Sequence, residues 1–277
     1  MGKADSGLRP LQSQPDMFEH AYSIVAVLAV IPALIQSHRA TGGASWPLLL
    51  VAGAGIALPA FRLLVGNEFA GLGGALTISN AATILVFILC AAIWPAARGL
   101  AVLMLPYCLC VAVLAAITYL PQPEPALPGS RAWLDIHILV SVLTYGLATI
   151  AATAALAVFM QERTLKRREP GPLVARLPAI ADTERLQNIL LWISAVILAA
   201  GLLTGIGTLY SESGQFFIFT HKTILAVAAF IIIVALLIAH NLTGLRGRRA
   251  ARLVLVVYLL LTLAYPGVKF VQDVLIG

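Results

Sequence analysis

From Trp133 to Arg168 the chain runs through about 24 mostly apolar residues to Met160 and then into Arg163, Lys166, Arg167 and Arg168. A stretch of that length and greasiness matches the hydrocarbon thickness of a bilayer, and the basic block at one end gives it a direction. His137 stands near the other end. Counting four, seven and eight residues on from it gives Ser141, Thr144 and Tyr145, a polar stripe down one helical face. Lipid cannot hydrogen-bond such a stripe, so that face is expected to look into protein.

The rest of the chain repeats the pattern. Apolar spans fall at roughly 20–37, 46–65, 78–96, 100–120, 133–160, 189–210, 221–241 and 252–274, which predicts an all-α polytopic membrane protein with about eight transmembrane helices. Hydrophobic residues make up 60% of the 277, charged ones only 11%, and the mean hydropathy is +0.95. No water-soluble core hides so much apolar surface. Two parts are expected: a polar extracytoplasmic leader over 1–19, and one eight-helix membrane domain over 20–277. The leader carries Asp5, Asp16 and Glu19 and lacks a basic n-region and a small-residue cleavage site, so the run from Tyr22 to Ile35 reads as a retained span rather than a signal peptide.

The net charge of +6 belongs to membrane orientation and not to a nucleic-acid partner. With the first span running inward, the inner loops hold Arg39, Arg98, Arg163, Lys166, Arg167 and Arg168, then Arg176, Arg185, Arg246, Arg248, Arg249 and Arg252. Those are twelve of the 18 Lys and Arg. The outer side keeps Lys3, Arg9, Arg62, Arg131, Lys222 and Lys269. Both termini are therefore expected outside the cytoplasmic (inner) membrane of a bacterium. Pro121, Pro125 and Pro128 make a stiff outer connector before Trp133. Cys90, Cys108 and Cys110 all fall within apolar runs, where thiols read as buried small hydrophobes.

Ionisable residues at membrane depth mark function more often than they mark packing, and the chain has five histidines. His20 and His38 bracket the first span, where the wet interface solvates them. His137 and His221 both begin spans on the outer side, and His240 closes the seventh span on the inner side. His221 and His240 lie about 28 Å apart along a straight helix, too far to share a ligand. On spacing alone His137 and His221 serve either as interfacial caps or as a pair that clasps a haem iron between two helices. Zinc is the poorer fit, since no third or fourth ligand lies close in sequence. Gly201, Thr204, Gly205, Gly207 and Thr208 give the sixth span a small-residue face suited to a neighbouring helix or a flat cofactor. Thr77, Ser79 and Asn80 open the third span as caps or as donors to a cofactor edge. Arg62 pairs with Glu68, snorkels, or meets a propionate. The chain contains no HExxH, GxSxG, Walker lysine loop or paired carboxylates, so no catalytic residue is assigned.

The segment Trp133-Leu134-Asp135-Ile136-His137, with Ser141 and Tyr145, and the run Ala239-His240-Asn241 together resemble the cytochrome c assembly protein family. These are membrane haem-handling proteins of the CcsA, CcmC and HemX kind. The likeness extends from Ser79-Asn80 to the C-terminus. His-Lys-Thr at 221–223 and Gly-Leu-Arg-Gly-Arg-Arg at 244–249 are similar to the eight-span YpjD-like branch. The resemblance implies haem b near the outer face, with His137 as an outward-facing ligand, His240 as the family's inner histidine, and His221 standing in for a second outer histidine absent from the tail Tyr265-Pro266-Gly267-Val268-Lys269-Phe270. It also implies the lipid bilayer, haem and another membrane assembly protein as partners. The family's Trp-rich loop is replaced here by Tyr210-Ser211-Glu212-Ser213-Gly214-Gln215-Phe216-Phe217-Ile218-Phe219-Thr220, so haem binding or handling is expected without the haem-attaching activity. The alternatives are a cofactor-free transporter, in which the histidines couple protons, and an accessory or scaffold subunit of a membrane complex.

Overall fold

The computed structural model describes residues 17–39, 43–66, 71–119, 131–167, 171–214, 220–244 and 246–271. The polar leader up to Asp16, the proline-rich connector before Arg131, Glu68 and the segment 215–219 lie outside the described residues. Within them the regular structure is entirely helical: α1 Met17–Arg39, α2 Trp46–Gly66, α3 Gly71–Ile93, α4 Ala101–Thr118, α5 Arg131–Arg167, α6 Ile180–Ser213, α7 His221–Thr243 and α8 Gly247–Thr262. A 3-10 turn, Pro95–Leu100, leads into α4. The all-α polytopic membrane architecture is thus the one the apolar runs predict.

Among the described residues, seven helical segments are long and apolar enough to cross a membrane. The eighth predicted span is made differently. α8 has only 16 residues and continues through a π-helical turn, Leu263–Gly267, into Val268–Phe270. Pro266 supplies the reason: it has no N–H for the carbonyl of Thr262, four residues back, so the regular ladder widens there.

Two spans begin earlier than hydropathy predicts. α3 starts at Gly71 rather than near 78, because its opening glycines serve close approach: a Cβ on Gly73 would meet the Tyr119 backbone at 2.5 Å. α6 starts at Ile180 rather than near 189. Its polar first turns extend past the apolar span, with Thr183, Leu186 and Gln187 buried against neighbouring helices. The far ends of α6 and α7 stop at Gly214 and Gly244, whose φ values of 69° and 65° favour glycine.

The helices pack as two rings of four. In the first, α1 lies against α2 and α4, and α3 closes it by packing on both of those. In the second, α5 lies against α6 and α8, and α7 closes it in the same way. The rings join where α3 meets α5, and a Cβ on Gly146 would lie 3.4 Å from Thr83 Cα. Small residues let these backbones approach, and in lipid such approach is the main source of helix association. A triangle of tyrosine hydroxyls straddles the junction. Tyr258 donates to Tyr107 at 2.9 Å, Tyr145 lies 3.3 Å from Tyr258, and Tyr107 and Tyr145 are 3.5 Å apart. Each hydroxyl donates once and accepts once, so three of them satisfy one another without water.

A candidate haem-ligand site at one end of the second ring

The polar stripe of α5 begins at His137. Its Nδ1 lies 3.2 Å from the Gly201 carbonyl and 3.3 Å from Thr204 Oγ1, both on α6. A carbonyl only accepts, so Nδ1 carries the proton; the Thr204 hydroxyl donates to the same carbonyl at 3.1 Å and turns a lone pair toward the ring. The tautomer that results places the imidazole lone pair on Nε2, which is the preparation seen in metal-binding histidines. The glycines of α6 make this contact close. A Cβ on Gly205 would lie 3.1 Å from His137 Cε1, and one on Gly207 would lie 3.1 Å from the Trp133 ring. The small-residue face of α6 is therefore filled by α5 side chains, and it forms the packing surface rather than a flat slot. Further down the stripe Thr144 and Tyr145 are buried, and the Thr144 hydroxyl donates to the Val140 carbonyl.

Burial divides the second ring into two halves. From Thr144 to Ala155 every residue of α5 is buried. Toward the His137 end, by contrast, none is buried in 133–141 of α5, 202–211 of α6 or 223–228 of α7. Burial in the second ring is thus concentrated away from the His137 end, where α5 and α6 nonetheless stay in contact through Gly205 and Gly207. α5 and α7 are diagonal members, each packing on both α6 and α8. With neighbouring axes about 8–10 Å apart, diagonal axes stand about 11–14 Å apart, a separation that two side chains and a metal ion can bridge. His221 opens α7 at this end. Its side chain lies outside the described residues; the turn that carries it is fixed by Thr220, whose hydroxyl accepts from the Thr223 N–H at 3.3 Å. A histidine on α5 held by α6, and a diagonal helix α7 that begins with histidine, are the residue types that could hold a haem iron. Among the described residues no three of His, Cys, Asp and Glu gather as a metal cage.

His240 sits at the opposite end, in a shallow pocket with Glu184, Gln187, Asn188 and Arg246. This is the basic end of the molecule. Gln161 donates to the Pro178 carbonyl, Arg98 lies over Trp46, and Glu162 accepts from the Arg248 N–H at 3.1 Å, capping α8 from the adjacent α5. Arg248 in turn lies 4.7 Å above the centre of Phe159. Nothing in the sequence spacing pointed to Glu162 as a cap, since its partner helix begins some 85 residues later.

Other predicted residues separate cleanly. Thr77, Ser79 and Asn80 lie well inside α3 and do not cap it. Asn80 Nδ2 donates to the Cys108 carbonyl at 3.0 Å and ties α3 to α4. Arg62 lies 5.6 Å from the centre of the Tyr22 ring, near the His137 end. The three cysteines are free thiols; Cys90 and Cys108 are buried, whereas Cys110 is exposed on the outside of the bundle. His38 Nδ1 bonds the Leu34 carbonyl of its own helix at 3.0 Å, an interfacial role, and the side chain of His20 lies outside the described residues.

Comparison with known proteins adds a family to this geometry. A family model described as "Cytochrome C assembly protein" matches residues 46–276. The chain is similar, at 47% identity over 266 residues, to an "Uncharacterized 28.8 kDa protein in nifR3-like 5'region" of Azospirillum brasilense, with 92% of this chain and 98% of that one covered. It is also similar to the "Inner membrane protein YpjD" of Escherichia coli K12, at 26% identity over 261 residues, covering 92% of this chain and 96% of the relative. No solved structure matches.

Proposed function

The chain belongs to the cytochrome c assembly protein family, and from that premise we propose that it is a haem-binding protein of the bacterial inner membrane that handles haem for cytochrome c assembly. The site is the His137 end of the second ring. His137 and His221 would hold the iron of a b-type haem, and the basic end faces the cytoplasm, which puts the haem toward the outer face and both termini outside. The relative named as an inner membrane protein supports the location.

The hydrogen bond from His137 Nδ1 to the Gly201 carbonyl carries the reading. A histidine that merely caps a helix has no need of a partner on another helix that sets its tautomer; a ligand does. When bound, haem would supply an iron that imidazole nitrogens can hold, and the protein contributes the rest. α6 orients His137, and Trp133 packs α5 against Gly207. The chain has no tryptophan between Tyr210 and Thr220, so it is assigned the holding of haem and not its attachment to apocytochrome.

Purified protein is expected to show the Soret and sharp α band of low-spin bis-histidine haem, on isolation or after addition of haemin. A preparation that stays colourless with haemin contradicts the proposal.

A further inference from the structure

α8 carries charge on the side that lipid covers. Its inward face, Gly247, Ala250, Ala251, Val254, Val257 and Leu261, is buried in the bundle. The opposite face is exposed and reads Arg249, Arg252, Leu253, Val256 and Leu259, one helical stripe at i, i+3, i+4, i+7 and i+10 spacing. In a bilayer acyl chains cover Leu253, Val256 and Leu259, so the two guanidinium groups stand at the head of a lipid-covered strip. Loop residues suffice to set the orientation of a span, whereas these arginines lie within the helix.

α5 brings further positive charge to the same edge. Arg248, which flanks the stripe, lies 4.7 Å above the centre of the Phe159 ring, and its backbone N–H donates to Glu162. One turn along α5 from Phe159 stands Arg163, exposed like Arg249 and Arg252. One turn along α8 from Arg248 stands Arg252, about 6 Å nearer the middle of the bundle. Four arginines are thus staggered in depth along the seam between two antiparallel helices. Beneath them the seam is apolar, with Leu156 39% exposed on α5 and Leu259 56% exposed on α8. Glu162 offsets one of the four charges at most. Glu184 lies on the other side of α8, in the pocket lined by Gly247 and Ala250.

We propose that the α5–α8 seam at the basic end binds an anionic phospholipid, whose phosphate is held by Arg163, Arg249 and Arg252 and whose acyl chain runs over Leu156 and Leu259. All the arginines that hold it are exposed, so the headgroup needs no cavity. Every phospholipid offers a phosphodiester, but an ethanolamine or choline headgroup also brings an ammonium into a cluster of like charge. The seam therefore selects a headgroup without one. The inference does not depend on haem at His137.

The test uses full-length protein, delipidated in detergent and offered equimolar phosphatidylglycerol and phosphatidylethanolamine, with retained lipid read by native mass spectrometry. Roughly tenfold preference for the glycerol lipid is expected, the usual worth of one or two arginines at a membrane surface. Arg249→Gln combined with Arg252→Gln should bring that preference to within about twofold. Arg39→Gln combined with Arg185→Gln removes the same charge from exposed positions on α1 and α6 at the same end, and should leave it unchanged. All four residues are exposed, so both variants should stay monodisperse with unchanged helical circular dichroism. Equal retention of the two lipids by the native protein overturns the proposal. Equal loss in both variants also overturns it, since net charge and not the seam would then be responsible. A preference that survives Arg249→Gln with Arg252→Gln does so too, even if an acidic protein then ceases to co-purify. Inorganic phosphate in excess should displace little of the lipid, because it cannot use the leucines; complete displacement overturns the lipid assignment.

Discussion

At the scale of single residues, the weight of the account falls on the Gly201 carbonyl and the Thr204 hydroxyl, which together hold His137 Nδ1. Replacement of Thr204 by Val removes one of the two acceptors at almost constant volume. Loss of such an outer partner typically lowers metal affinity by about 10–100-fold, so haemin titration of Thr204→Val should show weaker binding with the ligand set unchanged. An affinity equal to the wild type's would mean that Thr204 does not help to hold the ring. The tyrosine triangle gives a second residue-scale prediction. Tyr258 touches both other hydroxyls, so Tyr258→Phe should destabilise the fold by about 0.5–2 kcal/mol in reversible detergent unfolding, as two buried hydroxyls lose a partner. His137 itself was legible in the sequence, as an ionisable group in an apolar run. The tyrosines were not: Tyr107, Tyr145 and Tyr258 are amphipathic residues on three separate helices, and their convergence depends on packing that no local spacing encodes.

At the scale of helices, α5 and α6 are matched through glycine. Gly205→Leu inserts a side chain where His137 Cε1 already stands 3.1 Å from the Cβ position. Overpacking of this kind costs about 1–3 kcal/mol, and here it also displaces the imidazole, so stability and haem occupancy should fall together. The sequence marked this face as small but left open whether a helix or a cofactor lay on it; the rings of His137 and Trp133 do. α8 offers the complementary case. Glu162→Ala removes the acceptor of the Arg248 N–H at the first turn and should cost about 0.5–2 kcal/mol, the ordinary worth of an N-terminal cap. Hydropathy located the helices well because lipid demands long apolar runs. It misplaced the starts of α3 and α6 for an equally physical reason: glycine and polar residues lower a hydropathy average even where the helix continues, into close packing in α3 and past the apolar span in α6.

At the scale of the whole molecule, two four-helix rings meet where α3 packs on α5, and burial in the second is concentrated away from the His137 end. No sequence pattern revealed this partnering, since one apolar face looks like another to lipid and association depends on shape. The charge asymmetry, however, was legible and carries a prediction of orientation. In a variant lacking the three native cysteines, Ser211→Cys at the His137 end should react with a membrane-impermeant maleimide from the outer side, and Arg249→Cys should react only after permeabilisation. The reverse pattern would place the proposed site at the cytoplasmic face.

The central claim is that His137 and His221 share one iron, and near-infrared magnetic circular dichroism of the purified, haemin-loaded protein tests it most directly because it reports axial ligand identity. The account predicts a bis-imidazole low-spin signal in the wild type that His137→Ala and His221→Ala each abolish, separately, with conversion to high spin or loss of the haem. An unaltered bis-imidazole signal in either variant would contradict it.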